Sequence, residues 1–247
     1  MIYFLSDAHL GSRLVENPRE HEMKLVNWLD QVKADATAVY LLGDIFDFWF
    51  EYKTVVPKGF VRFLGKAAEL VDAGIEVHFF TGNHDVWTFG YLQQEVGMIV
   101  HLGPEIIELS GKKFYMAHGD GLYYVEDDRG FKFIRKIFHS RLAQKAFRCF
   151  PPQLGQEFGY AWSKNNRIKN LPVENKFLGE DKEYLVVYSK QYAEKHPEID
   201  FFVYGHRHIA LDLQIRNNKR VIILGDFVKA FTYGVFDGED FRLEYPD

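Results

Sequence analysis

Cysteine is nearly absent. Cys149 stands alone in 247 residues, so no intramolecular disulfide can form and nothing points to an oxidising compartment. Long apolar runs are missing too: none approaches the ~20 residues that span a bilayer. The first apolar run opens at Ile2 with no basic segment before it, so a secretory signal is not expected. Nor is there an excess of positive charge; the formal net charge of -5 argues against general nucleic-acid binding. Internal repeats and low-complexity tracts are lacking. What is present is apolar and aromatic substance, 47% and 17% of residues, enough to fill the core of one large domain or of a domain with a sizeable insertion. The expectation is a cytoplasmic protein able to touch a membrane surface.

The N-terminal half reads as strand, helix, strand, helix, strand. Ile2–Leu5, Ala38–Leu42 and Ile75–Thr81 are short buried-strand runs. Between them, Glu20–Lys33 and a segment from Phe60 to Val71 show helical spacing, with Gly74 as a C-terminal stop. That alternation predicts a parallel sheet built from βαβ units. From Ile106 the rhythm changes to strand pairs: Ile106–Leu109 and Lys113–Ala117 flank Ser110-Gly111, a hairpin signal. A helix over Glu183–Lys195 and a strand over Phe201–Tyr204 follow, and three short strands around Asn217-Asn218 and Asp237-Gly238 close the chain.

Residues 121–179 break the rhythm. Phe131, Ile134, Phe138 and Leu142 fall at helical spacing, and Pro151-Pro152 precedes a second helical piece. From Arg129 to Val173 there are ten Lys or Arg against one acid, Glu157; this net +9 leaves -14 for the rest. Aromatic residues interleave the charge. A basic amphipathic insertion over an acidic body suits an anionic, partly apolar ligand or an anionic membrane surface. The plainer alternative is a solvated helical cap.

The strand ends carry the chemistry. Ile2–Leu5 runs into Asp7-x-His9, Ala38–Leu42 into Gly43-Asp44, Ile75–Thr81 into Gly82-Asn83-His84-Asp85, and Phe201–Tyr204 into Gly205-His206-x-His208, while His118 follows Lys113–Ala117. In α/β folds ligands gather at the carboxyl ends of strands. Singly, each cluster could be a turn, a helix cap or a satisfied core histidine. Five together point to metal. The donors are carboxylate, imidazole and amide with no thiolate, which suits Mn²⁺, Fe or Zn²⁺. Seven candidates, Asp7, His9, Asp44, Asn83, His118, His206 and His208, exceed one ion's needs. Two ions sharing a bridging carboxylate would use them all, the arrangement that hydrolyses phosphoryl groups by neutralising phosphate oxygens and turning a shared water into hydroxide. His21, His78, His101, His139 and His196 stand outside any motif and read as ordinary residues, and Asp226 reads as a turn former.

These segments, Asp7-Ala8-His9, Gly43-Asp44-Ile45-Phe46-Asp47, Gly82-Asn83-His84-Asp85, His118-Gly119-Asp120 and Gly205-His206-Arg207-His208, resemble the complete motif series of the calcineurin-like metallophosphoesterase superfamily. The resemblance implies an α/β fold: a β-sandwich flanked by helices in α/β/β/α layers, one domain over residues 1–247 with a helical lid insertion at about 122–178. It implies a dinuclear centre, most often manganese, with Asp44 bridging one ion held by Asp7, His9 and His208 and another held by Asn83, His118 and His206. His84 would stabilise or protonate the leaving group, with Asp85 holding its imidazole; Asp47 and Asp120 would support the ligands.

Within the superfamily, Ser6-Asp7-Ala8-His9-Leu10, Gly43-Asp44-Ile45-Phe46-Asp47-Phe48-Trp49 and the basic insertion are similar to the UDP-2,3-diacylglucosamine pyrophosphatases of lipid A synthesis. That likeness implies a lipid-linked UDP-sugar substrate, cleavage to UMP and 2,3-diacylglucosamine 1-phosphate, and peripheral placement on the anionic cytoplasmic face of the inner membrane. Substrate contacts carried over are Asn83, His84 and His206 at the metals, and Asp128, Ser163, Asn166, Arg167 and Lys169 in the lid. The chain departs from a common form of that subfamily, which has Arg where His84 stands. Another metal-dependent phosphodiesterase or nucleotide pyrophosphatase is the alternative reading. A metal-free scaffold would have lost ligands, and none is missing.

Overall fold

The computed structural model describes residues 1–122, 136–174 and 176–246. Eleven strands among these form two sheets stacked face to face. The first has the order β11-β10-β1-β2-β3-β4 and the second β5-β6-β7-β9-β8. β1 (Ile2–Leu5), β2 (Ala38–Leu42), β3 (Glu76–Phe80) and β4 (Ile99–His101) run parallel, with β10 (Tyr233–Phe236) antiparallel beside β1 and β11 (Phe241–Glu244) beyond it. In the second sheet β6 (Lys112–Ala117), β7 (Phe201–Tyr204) and β9 (Arg220–Leu224) are parallel; β5 (Glu105–Leu109) and β8 (Ala210–Gln214) are antiparallel edges.

Strand alternation sorts the core into layers. Phe4, Tyr40, Leu42 and Phe80 point to the other sheet and meet Phe114, Met116, Val203 and Ile222. Leu5, Val39, Leu41 and Phe79 point outward, where α1 (Pro18–Val32) and α2 (Val61–Asp72) cover them with Trp28, Leu29 and Phe63. α5 (Tyr184–Lys195) covers the far face of the second sheet through Leu185 and Val186. The expected layered sandwich is what forms.

Two local expectations change. The chain closes with four strands, because the stretch between the Asn217-Asn218 and Asp237-Gly238 turns divides into β9 in one sheet and β10 in the other. α1 begins earlier than its apolar spacing suggests: Asn17 caps it by accepting from the Glu20 amide at 3.2 Å, with Pro18 at the first helical position.

Between β6 and α5 lie α3 (Arg141–Phe147) and α4 (Pro152–Glu174). α4 settles on the aromatic run that follows Asp44. Gly159 permits this, since a Cβ there would sit 2.4 Å from the Phe48 ring. Phe147 and Tyr160 pack on Phe48, and Phe138 stacks on Trp87.

The Gly43 turn is equally tight. Its φ is +85°, and a Cβ would fall 2.6 Å from His118 Nδ1 and 2.8 Å from the Gly82 nitrogen. Gly43→Ala is expected to cost about 1–3 kcal/mol from its left-handed backbone alone, with the clash added. Urea unfolding measures this; an unchanged midpoint would show that the turn relaxes freely.

Candidate metal centre

Five strand-end residues turn the chain in the same unusual way. Asp7, His9, Asp44, His206 and His208 have φ of 54°, 44°, 51°, 68° and 48°. Positive φ is uncommon outside glycine, and Asp and His are among the side chains that tolerate it. Main-chain bonds hold the turns: the Asp7 amide donates to the Gly43 carbonyl at 3.1 Å and the His9 amide to the Asp44 carbonyl at 2.9 Å.

The turns bring the side chains together. Asp7, His9 and His208 form one cluster and Asp44, His118 and His206 a second, each able to hold an ion; a third grouping joins His9, Asp44 and His84. In the first, Asp7 Oδ1 lies 3.2 Å from His208 Nε2 and 3.8 Å from His9 Nε2. In the second, Asp44 Oδ2 lies 3.3 Å from His118 Nε2, and His118 Nε2 lies 3.3 Å from His206 Nδ1. Asp44 Oδ2 also reaches within 4.0 Å of His9 Nε2, so this carboxylate stands between the clusters. His84 Nε2 lies 3.8 Å from the same oxygen.

Donor chemistry fits divalent cations. Asn83 Oδ1 is buried with no hydrogen-bond partner, which is costly unless a cation completes it. The ring nitrogens are oriented from behind, as metal-binding imidazoles usually are. His118 Nδ1 donates to the Leu42 carbonyl at 2.8 Å, leaving Nε2 for the cluster. His84 Nδ1 donates to the Asp47 carbonyl at 2.8 Å.

Charge within the site is strongly coupled. Burial pushes the Asp44 carboxyl up, but the His118, His84 and His9 imidazoles outweigh it and hold it well below the carboxylate range. Asp7 behaves likewise, burial being overcome by His208, and falls to about 2. Burial, with the Arg167 charge next in size, lowers His9 to about 4; burial and His118 do the same to His206. Both rings are therefore neutral near pH 7, the form that binds metal.

One expected role is corrected. Asp85 does not hold the His84 imidazole. Its Oδ1 accepts from the Gly82 amide at 2.7 Å, and its Oδ2 from the Ile45 and Phe46 amides at 2.8 and 3.3 Å. Buried amides need acceptors, and this carboxylate supplies them, tying the loop after β3 to the loop after β2. Burial and then the Asp44 charge raise its carboxyl to about 7. The Asp47 carbonyl takes the orienting role.

The residues expected to meet substrate from the insertion divide. Ser163 and Arg167 are buried on α4 against Asp47, rather than held open to a cleft. Asn166 is half-buried and Lys169 exposed. Asp128 lies outside the described residues. Asp226 shapes a turn as expected, its Oδ1 accepting from the Val228 amide at 2.8 Å.

Sequence reasoning passed over the Arg207–Glu183 pair. Arg207, between His206 and His208, donates to Glu183 at 2.8 and 3.0 Å and to the Lys176 carbonyl at 3.1 Å, joining the loop after β7 to the start of α5. The only signal was a basic residue set between His206 and His208.

The pattern of the calcineurin-like phosphoesterase family matches residues 1–210. A curated UDP-2,3-diacylglucosamine hydrolase from Porphyromonas gingivalis is 42% identical over 253 residues, covering 98% of this chain and 96% of that protein. One of the same name from Haemophilus influenzae is 27% identical over 238 residues, covering 93% and 92%. Among solved structures, a dimetal phosphatase from Danio rerio aligns over 98% of this chain and 94% of its own, at 14% identity and a TM-score of 0.49.

Proposed function

The chain belongs to the calcineurin-like phosphoesterase family, and from that we propose that it hydrolyses the pyrophosphate bond of UDP-2,3-diacylglucosamine, releasing UMP and 2,3-diacylglucosamine 1-phosphate. It is a metal-dependent hydrolase. The observation that carries the reading is the pair of ligand clusters joined at Asp44, with the aromatic helix α4 packed beside them on Asp47. Likeness to the Porphyromonas gingivalis hydrolase over nearly the whole chain supports the same substrate.

Asp7, His9, Asp44 and His208 would hold one ion, and Asp44, Asn83, His118 and His206 the other; the donors suit Mn²⁺, Fe or Zn²⁺, and Mn²⁺ is proposed from the family resemblance. Such ions, when bound, neutralise phosphate charge and lower the pKa of a bound water. The chain's own residues do the rest. His84, its Nδ1 engaged by the Asp47 carbonyl, turns Nε2 to the site and serves the departing lipid phosphate. Asp85 keeps the loops after β2 and β3 in register.

In this reading the insertion at about 122–178 is the lid, and α3 and α4 are its described helices. Asn166 and Lys169, on its α4 helix, meet the nucleotide diphosphate beside Asn83, His84 and His206. Leu142, Phe150, Leu154, Phe158 and Trp162 leave large apolar side chains exposed, fitting acyl chains or the anionic cytoplasmic surface of the inner membrane. No described helix is long and apolar enough to cross a membrane.

The test is UMP release from UDP-2,3-diacylglucosamine by purified protein with Mn²⁺. Release is expected, with far slower cleavage of bis-p-nitrophenyl phosphate. Fast cleavage of that generic diester without UMP release would leave a phosphodiesterase of other specificity.

A further inference from the structure

Asp47 connects α4 to the metal centre. Its carboxylate is 0% exposed. Ser163 Oγ donates to its Oδ2 at 2.7 Å, and Arg167 Nη1 donates to its Oδ1 at 3.3 Å. The same Nη1 donates to Ser12 Oγ at 3.0 Å, on the loop that follows His9. On the other side, Asp47 Oδ1 lies 3.4 Å from His9 Nδ1, within ion-pair range but not aligned as a hydrogen bond, and this buried Nδ1 has no hydrogen-bond partner; His9 Nε2 faces Asp7, Asp44 and His208. Arg167 is 6% exposed, and the residues it touches are all buried.

We infer that Asp47, clasped by Ser163 and Arg167, is a positioning group through which α4 sets the His9 ring as a metal ligand, so that docking of the lid helix and affinity for one of the two ions are coupled. A carboxylate beside Nδ1 favours the tautomer that keeps its proton on Nδ1 and leaves Nε2 free for the metal. Without donors from α4, a carboxylate this deeply buried would turn toward other donors, and the ring would lose the group that faces its Nδ1. Coupling of this kind is reciprocal: if the clasp raises metal affinity, the metal tightens the clasp. Arg167 thereby acts through Asp47 rather than on the substrate. The inference rests on the two-metal reading of the site.

The experiment titrates Mn²⁺ into substrate-free protein by calorimetry and by the loss of the free-ion paramagnetic resonance signal. Wild type is expected to bind two ions. Arg167→Gln should weaken one of them by about 10–100-fold, the usual effect of losing an outer partner of a ligand, and leave the second unchanged. Arg167→Lys should recover most of the loss. Hydrogen exchange of α4 near residues 163–167 should slow on adding Mn²⁺ to wild type but not to Arg167→Gln. If the Gln variant does not fold, Ser163→Ala carries the test, with a smaller loss expected at the same ion. Unchanged Mn²⁺ titration in the folded variant, with damage confined to KM for the lipid substrate, would overturn the inference and make Arg167 a substrate contact. Failure of wild type to bind Mn²⁺ would instead remove the two-metal reading and the inference with it.

Discussion

Replacing Asp44 with Asn is expected to lower turnover by about a thousandfold or more, because the shared carboxylate supports several kcal/mol of transition-state charge stabilisation at a paired site. The substitution is mild in every other respect. Asn tolerates a positive φ, and Asp44 has one of 51°. The amide oxygen can still accept from the His84 amide, which now donates to Asp44 Oδ1 at 2.9 Å. What disappears is a negative charge between two clusters of imidazoles. Metal analysis of the purified variant should find less than the full pair of ions, and added Mn²⁺ should recover little activity. A second consequence distinguishes charge loss from misfolding. Burial, then the Asp44 charge, raises the Asp85 carboxyl to about 7. Removing that charge should lower the Asp85 pKa while thermal melting still shows one cooperative transition. Near-normal turnover in Asp44→Asn would mean that the two clusters do not share this carboxylate.

His84→Ala should act differently. It removes an imidazole whose Nε2 stands 3.8 Å from Asp44 Oδ2, yet keeps the backbone amide that holds Asp44 Oδ1. Both ions should therefore remain bound, while turnover falls by about 10²–10⁴-fold, the usual worth of a positioned acid or base. Loss of metal from this variant would make His84 a ligand, as its grouping with His9 and Asp44 allows. His84→Arg then separates two roles. Arg supplies a fixed positive charge but gives up no proton near neutral pH. Recovery of turnover assigns His84 to charge stabilisation of the leaving phosphate; continued loss assigns it to proton donation.

Much of the site was legible because its ligands sit where buried strands end, and strand ends are marked by abrupt changes from apolar to polar residues. Asp7, His9, Asp44, His118, His206 and His208 converge as their spacing implies. The sandwich was legible for the same reason, since alternation and βαβ spacing are local signals. Asp85 was not. In a tight loop adjacent side chains point apart, and no local signal says that Asp85 turns to the Ile45 and Phe46 amides instead of following His84. The clasp on Asp47 was hidden for another reason: Ser163 and Arg167 lie more than a hundred residues away in the chain. Nothing in a run of basic residues tells which one is buried. One closing strand went uncounted because β9 and β10, between the same two turns, part to different sheets, and no local signal marks that crossing.

The left-handed strand ends have a consequence for how this centre can be altered. Because five of the proposed ligands occupy a backbone conformation that Asp, Asn and His share but branched side chains resist, the loops act as sockets that accept one another's donors. Exchanging Asp, Asn and His among positions 7, 9, 44, 206 and 208 changes charge and softness while the main chain stays put. Metal preference can thus drift, or be redesigned, by single substitutions, whereas a Val or Ile at the same position forfeits the loop along with the ligand.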